Sequence, residues 1–295
     1  MKLISYKTNK GNFGDDLNQW LWPKLLGKDI FTKNDDVAFL GIGSILTLTD
    51  PYYFNEANKY KKKCIAGSGI RSLKENIKLD ESWDISFLRG PLSSFKLTGN
   101  FTNYITDSAY FYTLLNEYNE TVKLPKKYDV SIIPYYESTN VFNWEEFCLK
   151  HNFNLITPLG NKIEKFIHEI ASSKLIISEA MHGAIMADIL RVPWKRLRFN
   201  AHIAEGEVVS EFKWHDWYAS IDLHQVDYIS LQKPKKDKLK HKLFRKKYRN
   251  RVTNEFLTEL KKLNPSSFYL SDKNRFNQII SELNKKKDYL LNKYC

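Results

Sequence analysis

A chain of 295 residues is long enough for two domains at ~100–200 residues each. Its 42% hydrophobic and 14% aromatic content is enough to build packed cores and excludes a disordered chain. The net charge of +12 comes from 46 Lys and Arg against 34 Asp and Glu, and much of the excess sits in one run, KPKKDKLKHKLFRKKYRNR at 233–251. Such a local patch suits nucleic acid, anionic lipid or a polyanionic substrate, or is simply a solvated helix face. No apolar run approaches the ~18–20 residues of a membrane span. The opening MKLISYKTNKGNFGDD has neither an apolar h-region nor a small-residue cleavage site, so no secretory signal is expected. Cys64, Cys148 and Cys295 are odd in number and form no C-x-x-C pair, which argues against a disulfide framework and a structural zinc site. A soluble protein of a reducing compartment, the bacterial cytoplasm, is expected.

In chain order, short apolar runs at 3–6, 37–42, 64–66, 85–88 and 104–105 lack the strict alternation of half-exposed strands. That is the pattern of buried parallel strands. A helix is predicted at 15–26, with Asp15 and Asp16 in its first turn and Gly27 after its end. Another follows at 91–97, opened by Pro91. The second third alternates strand 129–136, helix 144–151, strand 153–157, helix 163–173, strand 174–178, helix 182–190 and strand 196–199. Such alternation predicts right-handed β-α-β units and a parallel sheet. The polar stretch 114–127 separates the two series, and the strands end after Ile229. Residues 238–263 and 275–291 read as lysine-rich helices. The expected organisation is α/β, with two doubly wound Rossmann-like domains at 1–124 and 125–230 and a basic helical extension at 231–295.

In doubly wound sheets ligands lie beyond the carboxyl ends of the strands, so residues there come first. The loop GNFGDDLN (11–18) offers two glycines, Asn12, Asn18 and a helix N-terminus carrying Asp15 and Asp16. It lacks the third Gly of G-x-G-x-x-G and the Lys of a Walker A loop, and a plain capped turn explains it equally well. GIGS (41–44) brings Gly43 and Ser44, and GSGIR (67–71) brings Gly69 and Arg71; both also read as ordinary β-α turns. Arg89 in LRGPLS is placed to grip a phosphate or carboxylate bidentately, or to form a surface ion pair. Asp107 in TDSA can hold an acceptor hydroxyl or cap the next turn. The most informative stretch is SEAMHGAIMAD at 178–188, with Glu179 and His182 at a strand-to-helix junction. There an imidazole can move protons near neutral pH, although a lone His is more often structural. Finally, NAHIAEGE (200–207) and FKWHDWY (212–218) form either a sugar-stacking surface or a buried aromatic helix.

Taken together, GNFGDDLN, GIGSIL, GSGIR, LRGPLSS, ITDSAYF and SEAMHGAIMADILRVPW resemble, in order, the polysaccharide pyruvyltransferase family and its ketal-forming members of exopolysaccharide synthesis. The resemblance covers about residues 3–200. It implies a two-domain fold like that of GT-B glycosyltransferases. It also implies transfer of a pyruvyl group from phosphoenolpyruvate, as donor substrate, to a sugar of a bacterial surface polysaccharide, capsule included, or of its lipid-linked precursor. The broader family carries an Arg where this chain has Ala180, which leaves Arg71, Arg89, Arg191 and Arg198 as candidates to bind the donor's anionic groups. His182 is the expected acid, and Glu179, Asp15 or Asp16 the expected base, with no cofactor or metal. A lipid-linked acceptor and the basic run together suggest peripheral attachment to an anionic membrane at its inner face, with nucleic acid disfavoured. A GT-B-type glycosyltransferase using a nucleotide sugar is the alternative enzyme, and a non-catalytic binder of nucleic acid or membrane the alternative of another class.

Overall fold

A computed structural model describes residues 1–6, 11–32, 36–160, 162–232 and 242–294, with side chains from 246 onward in the last stretch. The first half builds a four-stranded parallel sheet from β1 (Lys2–Ile4), β2 (Val37–Leu40), β3 (Lys62–Ala66) and β4 (Trp83–Phe87), in that spatial order. All four residues of β2 are buried, which is why its sequence VAFL is continuously apolar. Helices α1 (Phe13–Leu26) and α2 (Tyr52–Asn58) cross between its strands, and α3 (Pro91–Thr98) follows β4 with proline at its first turn. The apolar pair at 104–105, read as a strand, makes only a single parallel bridge, Leu88 to Tyr104. The short α4 (Tyr118–Thr121) leads into the second half.

There the strands are β5 (Tyr128–Ile133), β6 (Asn154–Leu155), β7 (Ser173–Ser178), β8 (Trp194–Arg198) and β9 (Tyr228–Ser230), all parallel and in the order β6-β5-β7-β8-β9. Helices α5 (Trp144–Lys150), α6 (Ile163–Ala171), α7 (Met181–Ile189), α8 (Ala201–Ala204) and α9 (Glu207–Ser220) connect them. The order reverses between β5 and β7, so a crevice opens beyond the carboxyl ends of those two strands. A backbone hydrogen bond of 2.8 Å from Glu179 N–H to the Ile133 carbonyl closes the floor of that crevice. Two parallel sheets with covering helices make this a Rossmann-like α/β fold in two parts, the coarse architecture that the alternation predicts.

The last two helices, α10 (Lys242–Lys262) and α11 (Lys273–Tyr294), are built into both halves. Tyr248, Val252 and Phe256 of α10 are buried in the cluster formed with Ile132, Trp144 and Phe199 of the second half. Leu260 and Leu263 pack against the same cluster, so these apolar residues of the segment are covered by the protein itself. Leu239 and the first part of the basic run, 233–241, lie outside the described residues. On α11, Phe276, Ile279, Leu283 and Leu290 enter the core shared by α1, α7 and the 3-10 segment Ser108–Leu114. The Tyr289 and Tyr294 hydroxyls donate to Asp84 of β4 at 3.0 and 2.5 Å. The described part of this segment, α10 and α11, thus covers the second sheet and then returns to the first. Among the described residues, no helix is long and apolar enough to cross a membrane.

The halves are joined by buried polar contacts. Arg89, after β4, forms an ion pair with Asp216 of α9 at 3.1 Å, with the two side chains 1% and 0% exposed. Asp216 also accepts hydrogen bonds from the Ser93 N–H at 3.0 Å and the Ser93 hydroxyl at 2.6 Å. Thr106 and Ser220 share a 2.9 Å hydroxyl contact, and Arg275 bridges the Ile105 and Ser220 carbonyls. Removing one partner of a buried pair leaves the other charge uncompensated, which costs about 3–5 kcal/mol. Asp216→Ala is therefore expected to lower unfolding free energy by that amount in a urea titration. A loss under about 1 kcal/mol, the level of a surface pair, would show that the junction does not depend on it.

Candidate active site

The N-terminal turns of α1 and α7 face each other across a cleft with about 700 Å³ of empty space, its open mouth included. Asn12, Gly14, Asp15, Gly43, Ser44 and Arg89 line it from the first half, and Glu179, Ala180, His182, Glu205 and Lys213 from the second. The fold thus gathers seven of the candidates read from the sequence, contributed by four separate loops. Asp107 lies directly behind this wall: it is fully buried, with Oδ2 3.6 Å from His182 Nε2.

His182 occupies the first turn of α7 and its ring presses against Gly14. A β-carbon at residue 14 would stand 2.1 Å from His182 Nδ1, so glycine is required by close approach. Asp107 caps the segment that follows it by accepting the Ala109 N–H at 2.9 Å through Oδ1. Its other oxygen is left toward the imidazole. Burial pushes the Asp107 carboxyl up, but His182, the Ala109 N–H and Arg89 together hold it below the usual carboxylate range. At that distance the contact is electrostatic rather than a hydrogen bond, and an ionised Asp107 acts on the ring through its charge.

Asp15, on the opposite wall, behaves in the reverse manner. Burial raises its pKa to about 6 against the opposing pull of His182, Asn12 and Lys213. Asn12 donates its amide to Asp15. Two carboxylates therefore flank one imidazole with their pKa values driven apart, the arrangement by which proton donors and acceptors are distinguished. The N-terminus of α7 has no side-chain cap, so its first N–H groups and dipole are available to an anion in the cleft.

The remaining candidates take other positions. Glu179 lines the cleft, but its carboxylate accepts the backbone N–H groups of Tyr135 at 2.9 Å, Asn200 at 2.6 Å and Ala201 at 2.8 Å. Burial keeps its pKa raised even so, and its oxygens tie the β5 and β8 ends together. Asp16 accepts the Asn12 N–H at 2.8 Å, and Asn18 is clamped to both backbone groups of Ile42. Gly69 makes room for the Arg89 guanidinium, 2.5 Å from where its β-carbon would be. Arg71 is half-buried outside the cleft lining. Arg191 binds Ser271, and Arg198 pairs with Glu207 and Glu211, so neither reaches the cleft.

Sequence reasoning did not single out Tyr135, Glu205, Lys213 or Trp214, all of which line the cleft. Tyr135 follows the carboxyl end of β5, a position the strand-end rule covers. The others lie in the two stretches weighed for their aromatic rings. Of those rings Phe212, Trp214, Trp217 and Tyr218 are buried, and Trp214 also borders the cleft. Among the described residues, no group of three or more His, Cys, Asp or Glu is placed to hold a metal ion.

Two outcomes follow from this geometry. Replacing a helical glycine by alanine ordinarily stabilises by ~1 kcal/mol, but Gly14→Ala must displace the His182 ring, and overpacking costs about 1–3 kcal/mol. A lower urea midpoint is expected, and a higher one would place the ring elsewhere. Because Asp15 has a raised folded pKa, its burial is free of penalty below the unfolded pKa, and stability is lost as pH rises through about 6. Asp15→Asn should match wild type near pH 3 and exceed it by about 3 kcal/mol above pH 7. Parallel stability curves across that window would contradict the assignment.

The family model described as polysaccharide pyruvyl transferase matches residues 2–194, well over half of the chain. The succinoglycan biosynthesis protein ExoV of Rhizobium meliloti (strain 1021) is 32% identical over 222 residues. That alignment takes in 74% of this chain and 64% of the relative, so the chain spans under two-thirds of the relative's length. A crystal structure of the functionally uncharacterized protein KP1_0663 from Klebsiella pneumoniae subsp. pneumoniae NTUH-K2044 aligns with TM-score 0.42 and 18% identity. It covers 77% of this chain and 92% of that one, a likeness too distant to add to the fold described above. The ordered motifs of the first 200 residues, four of which the fold brings to one cleft, and the match of the family model across them agree: the chain belongs to the polysaccharide pyruvyl transferase family.

Proposed function

We propose that this cleft transfers a pyruvyl group from phosphoenolpyruvate to two hydroxyls of a sugar in an exopolysaccharide or its lipid-linked precursor, forming a cyclic ketal. The carrying observation is the row Asp107, His182, Asp15 across a cleft that also receives the N-terminus of α7. Family membership supports the reaction class, and a relative named for succinoglycan biosynthesis supports a polysaccharide acceptor.

The chemistry asks for a proton at the donor's methylene carbon, a base at the attacking hydroxyl and cations or N–H groups at the leaving phosphate. In this proposal His182, held by Asp107, delivers a proton to the methylene, which becomes the methyl group. The first sugar hydroxyl adds to the resulting cationic carbon and gives its proton to Asp15, ionised at neutral pH. Phosphate departs over the α7 N-terminus, the second hydroxyl closes the ketal, and its proton leaves with the phosphate. One hydroxyl proton thus returns to the acid through Asp15, and the exchange balances without an oxidant or reductant.

Loss of a positioned acid lowers turnover about 10²–10⁴-fold. His182→Ala is expected to show that loss with its melting temperature retained. The assay is phosphate release from phosphoenolpyruvate together with an acceptor mass gain of one pyruvate less one water. Asp107→Asn should lower kcat more than it raises KM, since it acts through His182. Wild-type turnover in folded His182→Ala would remove the imidazole from the mechanism.

A further inference from the structure

Two cations line the cleft from outside the proton-handling row, and they are bound very differently. Arg89 is 1% exposed, and its guanidinium is shared among Asp216, the Ser44 hydroxyl at 2.5 Å and the Ile70 carbonyl at 3.4 Å. Turning it toward a ligand would strip a buried carboxylate of its partner. Lys213, on α9, has one ion-pair partner among the described residues, Glu205, at 2.9 Å. Its side chain and that of Glu205 are 18% and 20% exposed, and both line the cleft. An ammonium carries three protons on a flexible stem, so it can exchange one carboxylate for another anion at little cost. Ala180, on the α7 side of the same cleft, adds no charge.

We propose that Lys213 is the specificity-determining residue that grips the anionic end of the donor, and that Glu205 is the carboxylate displaced from its ammonium on binding. The inference rests on the phosphoenolpyruvate reading above and names the residue that serves its charge. The field of Lys213 already reaches Asp15 across the cleft. A donor anion seated on Lys213 therefore lies beside the proton-transfer row, with the α7 N-terminus as its second support. Freed from the ammonium, Glu205 turns to solvent at the cleft mouth.

Calorimetric titration with phosphoenolpyruvate on wild type, Lys213→Gln, Lys213→Arg and Glu205→Gln tests this, with melting temperatures measured in parallel. Lys213→Gln should weaken binding about 10-fold or more, the effect of one charge-assisted hydrogen bond, and Lys213→Arg should recover most of it. Glu205→Gln should tighten binding, because a competing carboxylate is gone. A purely structural ion pair predicts the opposite for Glu205→Gln, lower stability with no gain in affinity. If wild type binds phosphoenolpyruvate and Lys213→Gln binds it equally well, the role of Lys213 is overturned while the donor assignment stands. If wild type itself binds none, both fall.

Discussion

Arg89 and Asp216 meet where neither touches water, and the cleft depends on their meeting. A guanidinium follows β4 in the first half and a carboxylate sits on α9 in the second, 127 residues apart in the chain. Each would be costly to bury alone, so the pair fixes how the halves dock. Once they are docked, the α1 turn with Gly14 and Asp15 stands opposite the α7 turn with His182. The same docking lets Asp107, at the end of the first half's sheet region, reach behind an imidazole from the second. The groups proposed to handle protons are drawn from both halves.

Desolvation then acts with opposite results on two aspartates. Asp107 is the more deeply buried, yet it stays charged because an imidazole, an N–H group and a guanidinium face it. Asp15 has weaker compensation and is driven up to about 6. An ionised anchor behind the ring and a carboxyl near neutrality before it are what a proton relay needs, and both follow from packing. Glu179 shows the alternative use of a buried carboxylate: three backbone N–H groups convert it into a brace for the loops around the cleft.

Much of this was legible in the sequence. The buried-strand runs and the alternation after residue 128 gave the two parallel sheets, and the strand-end rule led to the loops of Asn12, Asp15, Ser44, Arg89 and His182. Hidden from it was which of the candidate arginines are already engaged by other side chains. Arg191 finds Ser271 eighty residues on, and Arg198 finds Glu207 and Glu211, so two arginines that look equivalent to Arg89 in sequence stand away from the cleft. Of the two readings of 212–218 the buried aromatic helix is the one found, but the full extent of α9 was obscured because its residues form no clear amphipathic stripe. Lys213 was hidden among its aromatics, and Glu205 in the short turn between α8 and α9, where neither carries a periodic signal of its own. The C-terminal lysines read as a separate basic extension because charge dominates their composition, whereas the few apolar residues among them decide where α10 and α11 pack.

The central claim is that the Asp107, His182 and Asp15 row faces bound phosphoenolpyruvate. A crystal structure of the wild-type protein with phosphoenolpyruvate tests it most directly. The account predicts the phosphate at the N-terminus of α7, beside Lys213, and the methylene carbon within reach of His182. Phosphoenolpyruvate bound outside this cleft, or a cleft that admits a nucleotide sugar and excludes phosphoenolpyruvate, would contradict it.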